Sequence, residues 1–405
     1  MRGYTLFLLL YKEAFPLKYL WGYITAAILA AVAWALNQFG AEFTTLVDMV
    51  YPYVIRTVQT FLAQWSSGVD FLVWQVLLVA LVVVVLAGLT VVLVMKKNII
   101  PWAGWSLALV CFVYLLQTLV YGLNYHAGDL ADDIRLKVSQ YNLYELVEAT
   151  TYYRDRANVL AEQVKRDDNG ELVYDEFEDL AKMAGVGFQV LTYDHRFPVF
   201  AGSTLPVKKL GWADMYTSMG ITGFTCGLTG EAAVNPQIPD IALPFTMSHE
   251  MAHRMCIATE RDANFAAFLA CSVHPDVQFE YSAYFMAYRY CYNALASQNT
   301  LESANAIGQI ADGVGALLHN DLVRYDTFFS NHRDVSATKL ADNVNDTYLK
   351  ASGDSAGVRS YGQVADLLVN WHIDQVVIPS LLIEQNPFDP YDETQVDLSG
   401  IVNAR

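Results

Sequence analysis

Hydrophobic and polar positions divide the chain into two regimes. Up to about Tyr121, apolar side chains run almost unbroken through three stretches, Leu17 to Phe39, Phe71 to Met95 and Trp102 to Tyr121. Each is long enough, at 1.5 Å per helical residue, to cross a hydrocarbon core. The second, "FLVWQVLLVALVVVVLAGLTVVLVM", has no ionisable residue in 25 positions and is the clearest span. Between the first two, "FTTLVDMVYPYVIRTVQTFLAQW" places apolar residues at helical spacing. This predicts either a helix along the membrane surface or an ordinary packed loop.

Past Tyr125 the pattern becomes that of a globular protein. Ala127 to Gln163 reads as one long amphipathic helix or two. "KRDDNGELVYDEF" interrupts it; Asp167, Asn169, Gly170 and Glu176 fall at calcium-loop positions, but Lys165 stands where the first ligand belongs, so a turn is expected. Pro198 to Pro244, rich in Gly, Thr and Pro, reads as strand and loop, and the chain is helical again after Pro244 in segments that include Ala304 to Arg324. The organisation expected is mainly α: a membrane anchor over 1–124, an α+β globular part over 125–390, and a loose acidic tail over 391–405.

Charge adds direction. Arg2, Lys12 and Lys18 precede the first span, and Lys96 and Lys97 separate the second from the third. The positive-inside rule then places the N-terminus in the cytoplasm of a multi-pass plasma-membrane protein, with everything after the third span outside. The first span begins only near residue 17 and exceeds the usual apolar core of a signal peptide, so an anchor is expected rather than a cleaved leader. The formal charge of −17 falls almost entirely outside the spans, which argues against nucleic acid as a partner. The five cysteines show no C-x-x-C pair, and neither a disulfide framework nor a cysteine metal site is indicated.

The chemistry gathers in "TMSHEMAHRMCIATERDANFAAFLAC", residues 246 to 271. His249 and His253 stand four apart, so on a helix both imidazoles leave one face, as needed to hold a zinc ion. Glu250 lies one step round, placed to act as a general base without ligating the metal. Glu260 is the strongest candidate for the third ligand, because it opens the next helical run with Asn264 one turn on as a supporting amide. Asp262 points roughly 200° away from Glu260 and is the weaker alternative. This region is crowded with ionisable side chains and its apolar run is short, which disfavours an intramembrane protease. His126, His195, His274, His319, His332 and His372 show no ligand spacing; His274 and His372 are the two that bear checking.

Tyr281, Tyr284 and Tyr288 form a helical stripe with Arg289 beside it. Such stripes usually belong to a core. The functional alternative is that a hydroxyl, Tyr281 or Tyr284, or the arginine stabilises an oxyanion. Upstream, "TGEAAVN" predicts an edge strand that pairs with an extended peptide through Gly230, Glu231 and Ala232, with Glu231 meeting a substrate amino terminus.

"TGEAAVN", "LPFT", "HEMAH", "ANFAAFLAC", "YSAYFMA", "YNAL", "YLK" and "SYGQVADLL", behind three spans, together resemble the bacterial family catalogued as domain of unknown function 3810. The segment from the HExxH helix to the glutamate helix is similar to that of the gluzincin metallopeptidases. The resemblance implies a zincin-like extracytoplasmic domain, His249, His253 and Glu260 as Zn2+ ligands, Glu250 as base and Asn264 as support. Two positions depart from the family pattern: Cys256 replaces a usual glycine and Asp262 a usual glutamate. The expected activity is a membrane-anchored zinc metallopeptidase acting on a peptide or protein. The alternative is a non-catalytic envelope sensor or scaffold whose zinc is closed off by a fourth ligand such as Cys256 or His274.

Overall fold

The computed structural model describes residues 17–193, 196–353 and 363–377. Helices α1 (Trp21–Glu42), α3 (Val73–Val94) and α4 (Ile99–Val120) are long and apolar enough to cross a membrane, and they mark the chain as a membrane protein. They fall within a few residues of the stretches read from sequence. α1 and α4 touch backbone to backbone, because a Cβ at Gly22 would collide with the main chain of Gly104. α3 buries none of its residues and touches α4 through a hydrogen bond from the Trp102 indole to the Val85 carbonyl at 3.2 Å. Between α1 and α3 the amphipathic segment forms helix α2 (Thr44–Ser66).

The ends of the spans show where the globular part sits. Asn37 near the end of α1 meets His126 at 3.4 Å, Glu231 accepts from the first amides of α3, and α4 runs directly into the turn Gly122–His126. These three ends therefore face the globular part, while Lys96 and Lys97 join α3 to α4 at the opposite end.

From Ala127 to Gln163 the chain forms two helical segments, the second alternative of the sequence reading, with a break between them. After one helical turn at Leu130–Asp133, Arg135 adopts a positive φ of 58° and the chain leaves the helix. It then docks on the C-terminal helix, Ser139 N bonding Asn370 Oδ1 at 3.0 Å. Helix α5 (Leu143–Ala161) starts only where Asn142 and Glu145 form a reciprocal capping box. The calcium-like segment is a turn: Asp167 accepts from the amides of Asn169 and Glu171, and Arg166 bridges to Leu172.

Short helices α6 (Phe177–Met183), α7 (Val186–Leu191) and α8 (Ala213–Met219) accompany a three-stranded sheet. Its strands are β1 (Lys208–Lys209), β2 (Gly223–Cys226) and β3 (Glu231–Val234), in the order β1-β3-β2. β3 pairs parallel with β1 and antiparallel with β2, and all its residues are buried. The expectation for "TGEAAVN" is thus corrected: β3 is the middle strand, and β1 and β2 are the edges.

The rest is helical: α9 (Leu243–Arg254), α10 (Glu260–Ser272), α11 (Val277–Ser297), α12 (Leu301–Asp312), α13 (Ala316–His332), α14 (Val335–Ser352) and α15 (Val364–His372). The expected segment from Ala304 to Arg324 is two helices parted at Gly313–Gly315. α14, capped by the Asp334 side chain, has no counterpart in the sequence reading. All 12 residues of α9 are buried, enclosed by β3, α10 and α11 with Met247, Met251, Phe265, Phe268 and Phe279. A helix carrying Ser248, His249, Glu250, His253 and Arg254 into a core is costly unless those groups have partners. It lies in the globular part rather than in a span. All five cysteines are free thiols. The acidic tail, 391–405, lies outside the described residues.

Candidate metal centre

α9 carries Pro244 as its second residue, whose missing N–H costs nothing in a first turn, and ends where the chain reverses into α10. The reversal passes through Cys256, whose φ of 72° is left-handed. This accounts for a glycine being usual there: the turn needs the conformation, and the cysteine adopts it. The Cys256 side chain lies beside Asn124 and Arg56, outside the group of His249, His253 and Glu260, and burial pushes its thiol up to about 12. Thr259 then caps α10 by accepting from the Asp262 amide, and Glu260 emerges in its first turn.

His249, His253 and Glu260 converge. The two Nε2 atoms are 3.1 Å apart, and Glu260 Oε2 lies 3.2 Å from that of His249 and 3.6 Å from that of His253. A tetrahedral ion with ligands at about 2.0–2.1 Å sets its ligand atoms roughly 3.3 Å apart, so the triangle has the size of a zinc site. His253 Nδ1 faces the Ile257 carbonyl at 2.9 Å, which makes Nδ1 the N–H and leaves Nε2 with its lone pair toward the centre. Glu260 Oε2 has no hydrogen-bond partner, although it is buried.

The electrostatics favour positive charge among these three side chains. Burial alone would push the His253 imidazole down, yet the Glu260 carboxylate raises it to about 9. Burial likewise opposes ionisation of Glu260, and the two histidines nevertheless hold it well below the usual carboxylate range. Two imidazoles and a carboxylate this close are stable only around positive charge, a shared proton or a metal. Among the described residues no other His, Cys, Asp or Glu joins this group.

Glu250 stands beside the triangle rather than in it. Its Oε2 accepts from Thr225 Oγ1 at 2.6 Å, and its other oxygen lies against Gly223, where a Cβ would collide with it. Burial raises its carboxyl above the ordinary value, against the pull of His249 and His253. The sequence reading gave Thr225 and Gly223 no role; their only signal was a Gly- and Thr-rich strand just upstream of HExxH.

The tyrosine stripe lies in the core, the reading given first to it, and the arginine beside it is paired. Tyr281 is fully buried and donates to Asp321 at 2.6 Å; Tyr284 packs on Tyr152 and under Arg156; Arg289 pairs with Asp326. They face α5 and α13, away from the metal triangle. Tyr290, on the opposite side of α11, bonds Asn264 Oδ1 at 3.0 Å and feels the charge of Glu260. Asn264 therefore holds Tyr290 rather than the ligand carboxylate, and its Nδ2 is without a partner.

Glu231 is engaged within the protein. It pairs with Lys208 at 2.8 Å and accepts from Val73 N and Trp74 N at 2.9 and 3.0 Å, capping a spanning helix that lacks a cap of its own. Gly230 abuts α2 and Ala232 is sealed in the sheet. Asp262 turns from the metal triangle to the Leu130 amide and Arg261. His274 faces the Met183 carbonyl and the Asp276 amide, and neither it nor Cys256 supplies a fourth ligand.

A family model described as "Protein of unknown function (DUF3810)" matches residues 17–369. No curated protein and no solved structure matches the chain.

Proposed function

We propose, from the premise that this chain belongs to the DUF3810 family, that it is a membrane-anchored, zinc-dependent metallopeptidase. The observation that supports the reading is the triangle of His249, His253 and Glu260, with no fourth ligand among the described residues and Glu250 held beside it. Structural zinc sites are closed by protein ligands, whereas catalytic ones keep a position open.

Bound zinc would supply a Lewis acid for a peptide carbonyl and would acidify water. The protein's own residues do the rest. Glu250, desolvated and fixed by Thr225, takes the proton of the attacking water and returns it to the leaving amine. The free edge of β2, which passes beside Glu250, offers main-chain groups to an extended peptide. Tyr290 is the hydroxyl proposed to stabilise the oxyanion in place of Tyr281 or Tyr284, by turning its one proton from Asn264 Oδ1 to the developing charge. The lysines at the far end of the spans support an extracytoplasmic globular part.

The test is elemental analysis of detergent-purified wild type, His253→Ala, Glu260→Ala and Glu250→Gln, each also incubated with a quenched-fluorescent peptide library. Stoichiometric zinc is expected in wild type and Glu250→Gln and lost in the other two, with hydrolysis in wild type alone. Folded wild type without zinc sinks the proposal. Zinc without hydrolysis moves the protein to the sensor or scaffold class.

A further inference from the structure

Helix α2 has two faces of different character. One buries Val47, Pro52, Ile55, Gln59 and Ala63. The other exposes Leu46, Met49, Val50, Tyr53, Val54, Phe61 and Trp65 at helical spacing, several of them more than 60% accessible. The outward face carries no charge, because the two charged residues of the helix are turned to the protein: Asp48 accepts from the Gly128 amide at 2.9 Å, and Arg56 Nε donates to the Met255 carbonyl at 3.1 Å.

α2 does not cross the membrane itself. The segments at its two ends are on the same side: α1 ends beside His126, and α3 begins on Glu231, both in the globular part. A helix joining two spans at one surface, with an uncharged aliphatic and aromatic outward face, continues the lipid-facing surface of those spans. Its inward face holds the candidate site from behind. Arg56 reaches the turn after His253, and Gln59 Nε2 bonds the carbonyls of Val120 and of Gly227, between β2 and β3.

We propose that α2 lies in the plane of the membrane with its outward face sunk in the lipid interface, and that this holds the centre of His249, His253 and Glu260 at the bilayer surface. The second clause rests on the metal-site reading; the first does not. Substrates are then polypeptide segments lying close to the membrane.

The experiment places bimane on single introduced cysteines, Met49→Cys, Phe61→Cys and the control Glu302→Cys, in the full chain. Wild type, treated alike, sets the background from native thiols. The proteins are reconstituted in phosphatidylethanolamine–phosphatidylglycerol vesicles with or without brominated acyl chains. Labels at 49 and 61 are expected to lose fluorescence in brominated lipid and to resist aqueous iodide, with the reverse at 302. Quenching of 49 and 61 by iodide as strong as at 302 overturns the proposal. Protection from both quenchers overturns it too, since a protein then covers the face. No zinc or peptide enters the measurement, so its failure leaves the hydrolase reading standing.

Discussion

Thr225 Oγ1 donates to Glu250 Oε2 at 2.6 Å, joining an edge strand to the glutamate of the HExxH helix. The bond favours the ionised carboxylate, against a burial that disfavours it. Thr225→Val keeps the shape and removes the bond. It is expected to retain zinc, lower kcat/KM about tenfold and move the acidic limb of the pH–rate profile upward. An unchanged profile would show that Thr225 has no part in setting the base.

Cys256 sits where the chain needs a left-handed residue, and its thiol is not part of the metal triangle. Cys256→Gly should keep full zinc content, whereas Cys256→Val, with a branched Cβ at positive φ, should lose stability and metal together. Zinc content and thermal unfolding of both variants are the check. Loss of zinc in the glycine variant would make Cys256 a ligand after all.

Glu231 belongs to the scaffold. Glu231→Ala leaves the Lys208 ammonium with only the Ser66 and Phe71 carbonyls and the first amides of α3 without an acceptor, at a cost of about 2–3 kcal/mol. Urea unfolding in detergent should register this, and pairing it with Lys208→Met should recover part of the loss. A selective rise in KM at unchanged stability would restore the substrate role.

His372 is buried against Tyr152, ring centroids 4.7 Å apart, with neither ring nitrogen bonded among the described residues. Burial lowers its pKa from 6.5 to about 4. Between these values the unfolded chain takes up a proton that the folded one does not, so the stabilisation present above pH 6.5 is lost as pH falls toward 4. His372→Phe should flatten that slope, visible as melting temperatures converging between pH 7 and pH 5.

What could be read from the sequence follows the range of the interactions. The spans, the HExxH helix and Glu260 are set by local spacing, and the structure brings the latter three side chains together. Glu231 could not be read, because the amides it caps lie 158 and 157 residues away. Nor could the face of α11: it is packed on both sides, so a tyrosine stripe marks burial without saying which neighbour it meets. Tyr290, about two and a half turns from Tyr281 and on the opposite side of that helix, carries the tie to Asn264 instead. Cys256 was legible as a departure from the family pattern, but only its φ shows that the glycine position is met by conformation and not by ligation.

The link from Glu231 to α3 also orders the making of the protein. Val73 leaves the ribosome 158 residues ahead of the carboxylate that will cap its helix. The second span is therefore inserted with its leading amides left to water, and they are satisfied only when Lys208 and the central strand have been translated and closed beneath them. A chain stalled or truncated before residue 231 would hold its three spans but leave that terminus without its carboxylate acceptor.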